Sequence, residues 1–434
     1  MNRRDFLKHL GRGAVGATVL AGAPTFIPAQ ALGRGNRPAP SNRIVMAAIG
    51  HGWMGGSNVN SFLNIDDVQL VAVCDVYKPH LQSGIEKINA RYENKDCQGY
   101  RDFRELLQRD DLDAITTALP DHWHAIPAIM AMQRGLDVYG EKPLSRTIEE
   151  GRAICNAVER YGRVWQTGSW QRSRDNFRQA AELVMNGRIG KVHHVDVGYS
   201  GGLIDFSGLA DQTTAQEPPA DLDYDLWLGP APWQPYCPAR LHKNWRHLMD
   251  YGGGLLTDWV GHHLDSAHWA LGLDDTGPVK IEGKGNFVPG IYDVPEHFDV
   301  MYTYANGLTI RISDSLEGGA KFYGEDGKWV FVTRGKIDAN PKSLLNEDIG
   351  PDEIRLTRST DHYQNFIDCV KSRQKTLTGA ESSHRAASVG NLGLISIATG
   401  RTLNWNPETE TIKNDPEASR MLGRSMRAPW TLTL

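Results

Sequence analysis

The sequence predicts an α/β protein: an amino-terminal parallel sheet flanked by helices, then a second α/β domain on an open, largely antiparallel sheet. Three observations predict it. From Arg43 onward, apolar runs of strand length alternate with helical patterns of about a dozen residues, as in βαβ units. The first of these runs ends in a glycine triplet that leads into a helix. Past Gly190 the extended segments lengthen, partly alternate, and are separated by turn residues rather than helices, as antiparallel strands are. At 434 residues, and with ~150 residues per domain as a soft prior, the chain has room for two or three globular units. The boundaries read as 1–31 and 32–42 before the fold, 43–168 for the first domain and 169–434 for the second.

The elements follow in order. Arg3-Arg4-Asp5-Phe6-Leu7-Lys8, an uncharged stretch over 13–23 and Ala29-Gln30-Ala31 resemble a twin-arginine export signal with its cleavage site. Its apolar run is well short of the ~20 residues that span a bilayer, so no integral membrane span is expected and the mature protein is expected to be periplasmic or otherwise exported. Residues 32–42, with Gly33, Gly35, Pro38 and Pro40, read as a linker. The run 44–49 is continuously apolar, as suits a strand covered on both faces. Further strands are predicted at 69–74, 113–119, 136–139 and 163–167, and helices near 53–63, 122–134, 148–161 and 176–185. Strands at 191–199, 280–287, 298–304 and 308–313 make the second sheet. Residues 201–252, rich in Trp, Pro, Gly and Asp and without a period, are too long for an idle loop and read as substrate-facing.

Composition removes several function classes. The net charge of −5 does not suggest a nucleic-acid partner. Five cysteines, odd in number and lacking C-x-x-C spacing, indicate neither a disulfide framework nor a zinc site.

The glycine triplet Gly50-x-Gly52-x-x-Gly55, with Trp53 and Met54 inside it, lies between a predicted strand and a predicted helix, and Asp75 closes the next strand. These are the offsets of a Rossmann dinucleotide fingerprint. The glycines permit a tight turn, close approach of a pyrophosphate and tight helix packing, while the acid receives the ribose hydroxyls. A carboxylate there repels a 2′-phosphate, so NAD is expected rather than NADP. Pro120 to His124 and Glu141-Lys142-Pro143 follow the third and fourth strands, at the sheet edge where ligands bind. Pro120, Glu141 and Lys142 thus join the cofactor-side set. Lys142 is either a cleft ammonium facing a substrate oxygen or a solvated loop residue. His124 is either a structural residue at a helix start or a cofactor contact.

A third constellation, Gly254-x3-Asp258-x3-His262, turns helical after a glycine run. Spacing of four places Asp258 and His262 on one helix face, and His263 points elsewhere. A carboxylate that orients an imidazole suits general acid–base work, and the same pair could be a simple helix ion pair or half of a metal site. No complete metal site is indicated. Trp170 and Trp245 could stack on a sugar ring, with Arg172, Arg246 and Tyr199 as polar contacts. The helical pattern around His384 to Thr399 reads as ordinary core.

Taken together, Gly50-x-Gly52-x-x-Gly55, Asp75, Glu141-Lys142-Pro143 and Gly254-x3-Asp258-x3-His262 resemble the Gfo/Idh/MocA oxidoreductase family, which includes glucose–fructose oxidoreductase and inositol dehydrogenase. The resemblance implies a Rossmann domain joined to an α/β domain whose open sheet often forms an oligomer face. It also implies hydrogen exchange between NAD and a hydroxyl-bearing carbon of a sugar, glycoside or cyclitol, with Lys142, Asp258 and His262 as the catalytic set. Export and the long insertion distinguish this chain from the simplest dehydrogenases and imply a retained cofactor. Some relatives are redox-neutral glycosidases that act through a transient keto-sugar. Their branch differs where this chain reads Glu141-Lys142-Pro143. A noncatalytic binding partner is the remaining class, which the intact Lys142, Asp258 and His262 disfavour.

Overall fold

A computed structural model describes residues 42–199 and 201–432. The export segment and nearly all of the linker lie outside the described residues. Strands β1 (Ile44–Ile49), β2 (Val68–Cys74), β3 (Gln98–Tyr100), β4 (Ala114–Thr117), β5 (Asp137–Gly140) and β6 (Trp165–Thr167) form one sheet in the order β3-β2-β1-β4-β5-β6. Every pairing in it is parallel. Helices α1 (Trp53–Leu63), α2 (Lys78–Tyr92), α3 (Ala125–Gln133) and α4 (Ile148–Tyr161) connect its strands. The apolar runs of β1 and β4 are buried because helices cover both faces. Helix α4 starts at a full capping box, Thr147 with Glu150, and stops at left-handed Gly162.

The second sheet follows α5 (Asp175–Met185). Its order is β13-β12-β11-β7-β10-β9-β8-β14-β15, built from β7 (His194–Gly198), β8 (Lys280–Asn286), β9 (His297–Thr303), β10 (Thr309–Ser313), β11 (Gly319–Tyr323), β12 (Trp329–Thr333), β13 (Lys336–Asn340), β14 (Leu403–Asn406) and β15 (Thr411–Ile412). Only β7–β10 is parallel, so the sheet is largely antiparallel as expected. Between β7 and β8 lie α6 (Gly254–Asp258), a π-helical turn (Val260–Leu264) and α7 (Asp265–Leu271).

The carboxyl-terminal third is not confined to the second sheet. Helix α8 (His362–Ser372) buries Phe366, Ile367 and Val370 in the same cluster as Met46, Phe62 and Tyr139 of the parallel-sheet domain. The long α9 (Ala380–Thr399) gives Ala380 and Ala387 to one core and Val389, Leu392 and Ile395 to the other. These helices bind the two sheets into one body, with the carboxyl edge of the parallel sheet facing α6 and the 201–252 insertion.

Candidate active site

The turn after β1 is shaped by glycine where nothing else fits. Gly50 has φ of +87°, and a Cβ there would lie 2.3 Å from the Ala118 carbonyl oxygen. A Cβ on Gly55 would lie 2.1 Å from the Gly50 carbonyl oxygen. At Gly52, by contrast, a Cβ would meet nothing nearer than His80 at 3.6 Å, so this position faces the cleft. Helix α1 has no side-chain cap and no acid in its first turn, which leaves its N–H groups to an anion. Asp75, at the end of β2, accepts the main-chain N–H of His51 at 2.8 Å and of Tyr77 at 2.9 Å.

Gly50, Gly52, Trp53, Met54, Asp75, Pro120, Glu141 and Lys142 line one cavity of about 480 Å³. Gly55 packs behind it. The glycine cradle, the uncapped helix end and the fixed carboxylate suit the pyrophosphate and adenosine ribose of a dinucleotide. Glu141 is buried against Asn58, whose amide donates to it at 3.0 Å, and burial pushes the Glu141 carboxyl up despite the nearby Lys142 charge.

The insertion closes this cleft. Lys78 N–H donates to the Asp221 carbonyl and Asp223 N–H to the Val76 carbonyl, with Tyr77 and Leu222 forming a β-bridge. The Lys243 ammonium lies 4.3 Å over the Trp53 ring. The loop that follows Asp75 is therefore stitched to residues 221–223, and Trp245 and Arg246 complete the wall.

At the far end Lys142 Nζ donates to Asp258 Oδ1 at 2.8 Å and to the Asp258 carbonyl at 3.1 Å. Arg246 Nε lies 3.5 Å from the same carboxylate oxygen. Burial alone would raise the Asp258 carboxyl, but Lys142 and Arg246 outweigh it and hold it ionised. His262 donates from Nδ1 to Gln171 Oε1 at 3.0 Å, which fixes the tautomer and leaves Nε2 as acceptor. Burial, reinforced by the charges of Lys142 and Arg334, pushes this imidazole far below its ordinary value. It is therefore neutral at physiological pH, and it lies 5% exposed behind the residues that line the cavity.

The family description "Oxidoreductase family, NAD-binding Rossmann fold" matches residues 44–169, and "Oxidoreductase family, C-terminal alpha/beta domain" matches residues 175–432, both of the Gfo/Idh/MocA group. The chain belongs to the Gfo/Idh/MocA oxidoreductase family. Its first domain is that family's NAD-binding domain. Among curated relatives, an alpha-N-acetylgalactosaminidase of Shewanella oneidensis is 30% identical over 218 residues, 46% of each chain. The chain thus spans about half the length of the first curated relatives it matches. The uncharacterized oxidoreductase YrbE of Bacillus subtilis is 22% identical over 83% of this chain and 96% of its own. The WlbA dehydrogenase of Bordetella pertussis, solved with NADH and UDP-GlcNAcA, shares the fold at a TM-score of 0.61 and 17% identity, over 84% of this chain and 99% of its own.

Several sequence expectations for this family member need correction. Asp258 and His262 do not pair: α6 ends at Asp258 and the π-helical turn that follows breaks the i,i+4 register, so Lys142 takes the carboxylate and Gln171 the imidazole. His124 is turned into the protein and does not line the cavity: Nδ1 lies 2.7 Å from the Pro143 carbonyl oxygen and Nε2 2.9 Å from that of Leu119, so the single N–H of this buried, neutral ring is held by the main chain. Arg172, 2% exposed, is locked to Asp265 and Asp274 and braces α7. Tyr199, fully buried beside Trp259, His263 and Phe298, belongs to the second core. Trp170 lies beside His262 but does not line the cavity, and its ring carries the guanidinium groups of Arg174 and Arg334, each at 4.8 Å. Trp245 does line the cleft, with Arg246 stacked on it at 4.3 Å. Gln171 and Asp121 were not singled out by the sequence. Gln171 has no spacing signal at all, whereas Asp121, directly after Pro120 at the ligand-binding edge, had the position of a site residue.

Proposed function

We propose that the protein is an NAD-dependent enzyme that interconverts a secondary hydroxyl and a ketone on a sugar, glycoside or cyclitol, and that its nucleotide stays bound between turnovers. The observation that carries this reading is Lys142 on the cleft wall, with two of its three N–H groups fixed on Asp258 and the third free for a substrate oxygen. His262, neutral and held by Gln171, takes the hydroxyl proton at Nε2. Lys142 steadies the oxygen as it becomes a carbonyl. Asp258 keeps Lys142 in place and balances its charge. NAD, when bound, accepts the hydrogen and electron pair released by the carbon. The stitched loop after Asp75 supports retention, because main-chain hydrogen bonds tie residues 221–223 to Val76 and Lys78 along the cavity wall.

We also propose export by the twin-arginine route, from Arg3-Arg4 and Ala29-Gln30-Ala31, and assembly with copies of itself, as the family's second domain implies. A second reading, a redox-neutral glycosidase, is favoured by the galactosaminidase relative. In it the ketone acidifies the neighbouring C–H, the glycosidic oxygen leaves, water adds and the carbon is reduced again. Native mass spectrometry of protein purified from the exported fraction should find NAD. Incubation with glycosides should then bleach or generate NADH without cleavage. Cleavage with no electron acceptor would select the second reading, and no nucleotide-linked change with any sugar or cyclitol would overturn the first.

A further inference from the structure

The Asp121 carboxyl has no part in the proton and hydride transfer assigned to Lys142, Asp258, His262 and NAD. It opens the short helical turn after β4, at the carboxyl edge of the parallel sheet, and lines the cleft together with Lys142 and Arg246. Only 3% of its surface is exposed. Among the described residues no group donates a hydrogen bond to its carboxyl. The neighbouring cations act on it through charge and not through a hydrogen bond: Lys142 and Arg246 are directed at Asp258, and Arg146 Nε donates to the Met249 carbonyl. A nearly buried polar group that opens only onto a ligand cleft is poised to complete its hydrogen bonds with whatever fills that cleft.

We propose that Asp121 contacts the substrate, its carboxyl donating a hydrogen bond to a substrate oxygen on the same cleft wall as Lys142. The proposal rests on the sugar or cyclitol reading above. Its protonation follows from its surroundings. Burial and the Asp258 charge push the carboxyl up to about 8, against the opposing pull of Arg246, Lys142 and Arg146. Near neutrality Asp121 is a donor, and it becomes an acceptor only as pH rises through that range. A ketone or ether oxygen accepts from a donor and is repelled by a carboxylate, so Asp121 adds selectivity for oxygen-rich ligands below that pH.

The test compares the NAD-loaded wild type with Asp121→Asn and Asp121→Ala. Asn keeps a donor of similar size without a titrating proton. In the wild type, kcat/KM for a responsive sugar should fall on the alkaline side with an apparent pKa near 8. Asp121→Asn should abolish that limb, and Asp121→Ala should lower kcat/KM about tenfold while leaving NAD affinity unchanged. An unaltered alkaline limb in Asp121→Asn, or a loss of NAD affinity instead of sugar affinity, would overturn the assignment. Should no sugar turn over, the oxidoreductase reading fails by itself, and infrared difference spectra of wild type against Asp121→Asn still decide the proton. A protonated-carboxyl band that fades as pH rises through 8 supports the proposal, and its absence at pH 7 defeats it.

Discussion

Lys142, on the cleft wall, and Asp258, behind it, neutralise one another with Nζ 2.8 Å from Oδ1, and 12% and 11% of their side chains are exposed. A pair this enclosed carries a large desolvation cost, so removal of either partner leaves a charge without its counterion.

Asp258→Asn should therefore destabilise the protein by about 3–5 kcal/mol, read by denaturant unfolding of the NAD-free form. Lys142→Met should also lose turnover by about 10²-fold or more while retaining nucleotide. Full activity in Lys142→Met would remove the lysine from the chemistry.

His262 depends on Gln171 rather than Asp258 for its tautomer, which separates two variants that the sequence would treat alike. His262→Ala should abolish turnover and keep NAD affinity. Gln171→Leu should lower kcat by about 10-fold or more with little change in KM, since the imidazole is present but free to rotate. A KM effect alone in Gln171→Leu would indicate a substrate contact instead of a positioning role.

The parallel-sheet half was legible because its punctuation is local. Apolar runs ended by Gly50, Asp75, Pro120 and Glu141 mark strand ends, and those ends are the site. What the sequence concealed depends on contacts made at long range. Helix α8 has an apolar stripe of its own, but nothing local tells that its Phe366, Ile367 and Val370 find their partners on a sheet formed some 300 residues earlier. Strands β11 to β13 are short and were not foreseen. The Asp258–His262 spacing misled because it assumed a uniform 3.6-residue turn, and the π-helical turn at Val260–Leu264 rotates the imidazole toward Gln171. Aromatic and arginine side chains near the cleft, Trp170 and Arg172 among them, are indistinguishable in sequence from ligand contacts until their partners are seen.

Asp75 holds the turn and discriminates the nucleotide with the same carboxylate. Asp75→Asn preserves an acceptor for one of the two N–H groups of His51 and Tyr77 while it removes the charge that opposes a 2′-phosphate. The NAD over NADP affinity ratio should shrink by about tenfold or more, since like charges in contact cost several kcal/mol. Equal ratios in variant and wild type, measured by calorimetry on stripped protein, would take nucleotide choice away from Asp75.

Acid should unfold this protein from within. Burial holds His122 neutral with its pKa lowered to about 3, and His263, His268 and His362 to about 4. In the unfolded chain these rings titrate near 6.5, so below that pH the unfolded state binds more protons than the native one. Their contribution is fully present above pH 6.5 and is lost as pH falls toward 4. Near pH 5 each ring costs about 2 kcal/mol, so the midpoint of thermal unfolding should drop steeply between pH 7 and pH 5 at constant ionic strength. The sign distinguishes this from Asp121, whose raised pKa costs stability as pH rises. Asp121→Asn should therefore raise the midpoint at pH 8 and change it little at pH 4. His268 donates to or accepts from Tyr304 at 2.7 Å, deep in the second core and away from the cleft. His268→Gln should flatten the acid side of the stability profile without altering nucleotide affinity, and an unchanged slope would show that the acid response originates elsewhere.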